Sequence, residues 1–232
     1  MEERLEILRR AKMNYQNILS NFFQNRHVNS GLFQRGDSQI SNRYIRIKEF
    51  LMKDDFNGFS SDDLFIMQFI KKGWGQDIAA LSNMAEAMVN LSIKNPTKSE
   101  YKTLMKQIVK RALHPKVNPY KKDITKVNNL GKFGYYLEHL NIILGCYQQI
   151  VDTNYSELNE RVTVHLLNGS MMNSDFHADL LPYAKMKWSA DQAAIIYSIW
   201  LFDKNNSTNH AKQLIERWTS FMKKHQKHSA TG

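Results

Sequence analysis

Residues able to move protons crowd into one stretch, Phe133-Gly-Tyr-Tyr-Leu-Glu-His-Leu-Asn141. On a helix Tyr135, His139, Ile142 and Cys146 share one stripe, and Tyr136, Leu140, Ile143 and Tyr147 share the next. His139 therefore stands beside Tyr135 or Tyr136, while Asn141 lies on another flank near Glu138. An imidazole that titrates near neutrality, flanked by phenols, is suited to transferring protons or orienting a substrate hydroxyl. The same pattern also describes a satisfied histidine packed between tyrosines. Cys146 lies about 10 Å further along the axis at 1.5 Å per residue, too far for His139 to deprotonate it. It reads as a small buried core residue rather than a nucleophile.

A second polar stretch runs from Asp175-Phe-His-Ala-Asp-Leu-Leu-Pro-Tyr183 to Trp188-Ser-Ala-Asp191. His177 and Asp179 stand two apart, so a loop could bring both to a metal, but a catalytic zinc needs about three protein ligands and no metal is expected. Asp191 stands at a helix start, where the dipole stabilises a carboxylate. If that helix mouth faces a cavity, Asp191 is a base or hydrogen-bond acceptor, and Tyr183, Trp188 and His177 line a ligand site. Gly73-Trp-Gly-Gln-Asp77 occupies the same position before an earlier helix, which adds Trp74 and Asp77 to the binding candidates. Glu138 and Asn141 join them from the central stretch. The glycines at 73 and 75 lack the spacing and the Lys-Ser/Thr ending of a phosphate loop, and no cofactor is expected.

The elements that must hold these groups are helices. Leu5, Leu8, Tyr15, Ile18, Leu19, Phe22 and Phe23 mark an amphipathic first helix over 2–24, and a second is expected over 41–53. Ser61, followed by Asp62 and Asp63, reads as the cap of a short third helix. Beyond residue 73 the pattern becomes regular. Helices over 77–94 and 98–113 meet at Asn95-Pro96, and helices over 132–151 and onward to about 168 meet at Asp152. A third pair begins after Ser189, where Ser-Ala-Asp-Gln192 reads as a capping box, and returns over 208–224. The pairs start about 57 residues apart, the period of a helical-hairpin array. The fold class expected is all-α: N-terminal helices over 1–72, three hairpins over 73–227 in an α/α-toroid-like arrangement, and a short tail, all in one domain. The longer connections, 115–130 and 170–188, would gather on one rim, where functional groups usually sit.

Composition narrows the classes of function. The chain has 232 residues and a single cysteine, and is long enough to bury roughly 70% of its unfolded surface without staples. Its charged N-terminus lacks a signal-peptide core and no apolar run approaches the roughly 18 residues of a spanning helix, so a soluble cytoplasmic protein is expected unless a leader precedes Met1. The net charge of +10 raises nucleic acid as a partner. Lys102, Lys106 and Lys110, however, fall on one helix stripe opposite Leu104, Ile108 and Val109, which is a solvated outer face. No zinc-finger, RNP-like or basic-zipper pattern accompanies them, so nucleic acid is not an expected partner.

Gly134-Tyr-Tyr-Leu-Glu-His-Leu-Asn141, the turn at Asp152, Leu181-Pro-Tyr and Trp188-Ser-Ala-Asp-Gln192 together resemble bacterial α/α-toroid proteins related to linalool dehydratase/isomerase, over about residues 73–220. The resemblance implies a helical ring with a central cavity. In the enzyme that gives the group its name, that cavity eliminates water from a terpene alcohol and moves a double bond, without a metal. It also implies that His139, a neighbouring tyrosine, Trp188 and Asp191 face the cavity. Two readings of function follow: lyase- or isomerase-like acid–base chemistry on a small hydroxylated or apolar molecule, or a non-catalytic helical-repeat module that holds a protein partner, of the adaptor, immunity or effector type.

Overall fold

The computed structural model describes residues 36–53, 76–131, 133–178 and 189–225, with side chains described from Tyr44 in the first stretch and Ile78 in the second. Among these residues every regular element is helical and there is no strand. The helices are α1 (Gly36–Met52), α2 (Gln76–Lys94), α3 (Glu100–Leu113), α4 (Gly134–Ile150), α5 (Ser156–Met172), α6 (Ser189–Asn206) and α7 (Ala211–His225), with a 3-10 turn at Ile124–Lys126. None of them is long and apolar enough to cross a membrane. The chain divides into two compact units, Met1–Arg46 and Ile47–Gly232, with the division inside α1. The described part of the first unit is the beginning of α1, and everything below concerns the second. The expected helices over 2–24 and from Ser61 lie outside the described residues.

The three hairpins form as the turn residues require. At the end of α2 the Asn95 amide donates to the Leu91 carbonyl at 2.9 Å, its side chain donates to the same oxygen at 3.3 Å, and Pro96 prevents continuation. After α4, Asp152 accepts from the Asn154 amide at 2.9 Å and from the Tyr147 hydroxyl at 3.1 Å. After α6, Ser207 takes φ 56° and the Thr208 amide donates back to the Asp203 carbonyl at 3.1 Å, a left-handed C-terminal closure of the Schellman type. The Asp203 carboxylate then reaches forward and accepts from the amides of His210 at 2.9 Å and Ala211 at 2.7 Å, satisfying the free N–H groups that open α7.

The hairpins stack so that α4 packs between α2 and α6, with α3, α5 and α7 against the other side of this layer. The three inner helices run parallel and in register. Ser82 of α2 meets His139 of α4 at a separation of 57 residues, and Asn141 of α4 meets Ser198 of α6 at the same separation. Near the other ends, Gln149 bonds Asn205 and Gln148 bonds Asn206, 56 and 58 residues on. The period visible in the sequence is thus a packing register.

Burial follows from this arrangement. In α4 nearly every residue from Tyr136 to Tyr147 is buried, with neighbours on all sides. In α3, by contrast, Leu104, Ile108 and Val109 are buried while Lys102, Lys106 and Lys110 are exposed, as their stripe predicts. Gly145 lets α4 and α6 approach closely, because a Cβ there would stand 2.7 Å from Leu201 Cδ2. Arg111, buried on α3, donates to the carbonyls of Phe50 at 2.7 Å, of Leu51 and of Lys53, so a guanidinium covers the negative end of α1.

Several helix limits differ from those read in the sequence. α1 begins at Gly36 rather than near 41, and α5 continues to Met172 rather than about 168. Ser189-Ala-Asp-Gln192 does not operate as a capping box. The Gln192 carboxamide instead accepts from the Ala178 amide at 3.0 Å and donates to Ser170 at 3.1 Å, tying the segment after α5 to α6. A tertiary partner outcompetes the local cap because both of these groups are buried and have to be paired.

At the centre of the stack Asn141 joins three helices. Its Nδ2 donates to Thr163 of α5 and Ser198 of α6 at 3.0 Å each, and its Oδ1 accepts from Asn159 at 2.6 Å. Replacing Asn141 with Leu keeps the volume but removes the side-chain partner of Thr163 and Asn159 and one of the two partners of Ser198, so a loss of about 2–4 kcal/mol is expected in urea unfolding.

Candidate functional site

The N-terminal ends of the parallel inner helices bring one polar group together. Ser82 lies in the second turn of α2, Tyr135, Glu138 and His139 in the first two turns of α4, and Asp191 in the first turn of α6. His139 is held on two sides. Its Nδ1 lies 2.8 Å from Ser82 Oγ, and its Nε2 lies 3.5 Å from Glu138 Oε1. The Tyr135 ring meets the imidazole edge-on, with centroids 4.8 Å apart.

Glu138 is the unusual member. Its side chain has no exposed surface, and neither carboxyl oxygen has a hydrogen-bond partner. Asp191 is half-buried, and its Oδ2 is likewise unpartnered. A carboxylate removed from water without compensating donors is costly, so both groups hold their protons more tightly than usual. Burial pushes Asp191 up to about 6. Burial raises Glu138 well above the ordinary carboxylate range, and the neighbouring Asp191 charge adds to the effect. The two carboxyls are thereby coupled, and the ionised form of Asp191 favours the protonated form of Glu138.

The other expected site residues fall elsewhere. Tyr136 points away from His139 and donates its hydroxyl to the Ala112 carbonyl of α3 at 3.0 Å, so of the two tyrosines only Tyr135 accompanies the histidine. Asn141 is fully buried, and its amide is occupied by Asn159, Thr163 and Ser198, which makes it a joint between helices rather than a ligand contact. His177 belongs to a separate clasp. Its Nδ1 lies 2.9 Å from the Asp175 carbonyl, and its Nε2 accepts from the Trp218 indole at 3.3 Å, so both ring nitrogens are used in fixing the segment after α5 against α7. Cys146 is buried, as the helix spacing implied. Trp74, Asp179, Tyr183 and Trp188 lie outside the described residues, as does the side chain of Asp77. No group of three metal-ligating side chains occurs among the described residues.

Ser82 is the member that residue types alone did not single out. The signal for it was present, because Ser82 precedes His139 by the 57-residue repeat. Compared with protein families, curated proteins and solved structures, the chain shows no match.

The raised pKa values fix the sign of a pH effect. A group whose pKa is higher in the folded state contributes stability that is complete below its unfolded value and is lost as pH rises through the folded value. Asp191→Asn, neutral at every pH, should therefore gain stability relative to the parent protein between pH 4 and about 6 and hold that gain above it. Paired thermal melts across this range are expected to show the variant's advantage growing by roughly 2–4 °C.

Proposed function

We propose that the N-terminal ends of α2, α4 and α6 form a site for a small hydroxylated or apolar molecule, on which the protein performs acid–base chemistry of the lyase or isomerase type. The observation that carries this reading is the carboxyl pair, with Asp191 pushed up to about 6 and Glu138 raised well above the ordinary carboxylate range by burial, each bearing at least one oxygen without a protein donor. Eliminating water from an alcohol requires one group to protonate the departing hydroxyl and another to remove a proton from the adjacent carbon. Moving a double bond needs the same two roles in a different order.

The division of labour follows burial. Asp191 is half-buried, and at neutral pH its carboxylate is the base that touches substrate. The His139 side chain is 15% exposed and is the group that exchanges a proton with the substrate oxygen. Glu138, with no exposed surface, is a positioning group that holds a proton behind the imidazole. The Tyr135 ring, packed on His139, supplies an apolar edge against which a hydrocarbon can lie. The parallel inner layer agrees with the toroid reading, in which such helices surround a cavity, and the positive ends of α4 and α6 favour an anionic carboxylate there.

The test is conversion of a panel of unsaturated primary and tertiary alcohols, followed by gas chromatography for alkene and isomer products. Asp191→Asn and His139→Ala should each lower turnover by roughly 10²–10⁴-fold while the helical circular-dichroism signal is retained. Parent-level turnover in both variants, or no conversion of any panel member by the parent protein, would overturn the reading.

A further inference from the structure

We propose that Ser82 is a positioning residue that fixes the tautomer of His139, placing the imidazole hydrogen on Nδ1 and leaving Nε2 as the basic atom that faces Glu138. This rests on the reading of His139 as the proton-exchanging group, and it adds a residue and an atom to it.

A serine hydroxyl carries one hydrogen and can donate only once. Ser82 Oγ lies 2.8 Å from the Ala79 carbonyl, an oxygen that can only accept, and 2.8 Å from His139 Nδ1. Both contacts are hydrogen bonds in one arrangement alone, with the hydroxyl donating to the carbonyl and Nδ1–H donating to Oγ. In a neutral ring the other nitrogen then carries a lone pair, and it is the nitrogen 3.5 Å from Glu138 Oε1.

Ser82 is 2% exposed, so water has little access to replace this contact. The chain of groups is directional: the Ala79 carbonyl holds the Ser82 hydroxyl, the hydroxyl holds Nδ1–H, and Nε2 is turned toward the carboxyl. The inter-helix register makes the lock possible, since Ser82 and His139 occupy equivalent positions in successive hairpins, 57 residues apart.

The experiment is two-bond ¹⁵N–¹H correlation spectroscopy of the histidine rings in the full chain at neutral pH, with His139 assigned by the signal lost in His139→Gln. In the parent protein His139 should be a neutral ring with its hydrogen on Nδ1. Ser82→Ala, a change that favours the helix, should shift the tautomer ratio toward Nε2–H by roughly tenfold, in keeping with the loss of one buried hydrogen bond. Ser82→Thr keeps a hydroxyl able to bond the preceding turn and should restore the parent ratio. A hydrogen on Nε2 in the parent protein, as the other neutral tautomer or as an imidazolium, overturns the proposal. An unchanged ratio in Ser82→Ala overturns it as well. The readout does not depend on turnover. If the tautomer data come out as expected while Asp191→Asn keeps full turnover, the acid–base reading falls and the Ser82 lock stands; in the converse pattern the lock falls and the acid–base reading stands.

Discussion

A helix covered on every side must have its polar atoms satisfied by its neighbours, and α4 is that helix in this protein. It lies between α2 and α6 with α3 and α5 packed against it, so every polar side chain it carries becomes a joint or a liability. Asn141 is a joint, with its amide shared among Asn159, Thr163 and Ser198. Tyr136 is another, its hydroxyl spent on the last turn of α3. Glu138 is the exception. One turn from a fully satisfied asparagine, it is buried as deeply with neither oxygen bonded. Folding tolerates a buried carboxyl more readily when it is protonated, and the charge of the neighbouring Asp191 favours that form.

The same demand explains why several residues that look chemical in sequence are structural in space. His177 has both ring nitrogens engaged, one near the Asp175 carbonyl and one accepting from the Trp218 indole. Asp203 collects the amides of His210 and Ala211 together with the Thr208 hydroxyl, and so closes the last hairpin. Arg111 holds the end of α1, and Arg161 donates to the carbonyls of Ile124 and Thr125, pinning the long connection between the first two hairpins to α5. Each of these side chains makes hydrogen bonds to backbone or neighbouring groups. What separates the polar cluster at the helix mouths from them is a pair of acids: carboxyl oxygens on Glu138 and Asp191 that receive no hydrogen bond from the chain.

The repeat ties these observations together. Because successive inner helices are offset by about one hairpin and run in register, groups at one level of the stack recur at the same level in the next. One level holds Ser82 and His139, the next holds Asn141 and Ser198, and the far level holds the amide pairs of Gln148 and Gln149 with Asn206 and Asn205. Ionisable groups thus sit at the N-terminal ends, where the helix dipoles favour negative charge, and neutral amides join the other ends.

The sequence by itself determined the all-α class, the three hairpins, the turns at Asn95 and Asp152, and the period that became the packing register, because amphipathic spacing and turn chemistry are local and repeat along the chain. It also singled out His139 and Asp191 and set a tyrosine, Tyr135 or Tyr136, beside the histidine, since helical spacing brings such positions together. It left Tyr135 and Tyr136 undistinguished, and treated Asn141, His177 and the Gln192 cap as open to local or ligand roles. Only the tertiary structure decided these, because the partner of a buried polar atom comes from another helix and local periodicity does not specify which one. The depth of Glu138, the lack of a donor for its carboxyl and the contact of Ser82 with His139 belong to the same class: they arise when three helices distant in sequence are pressed together at one end.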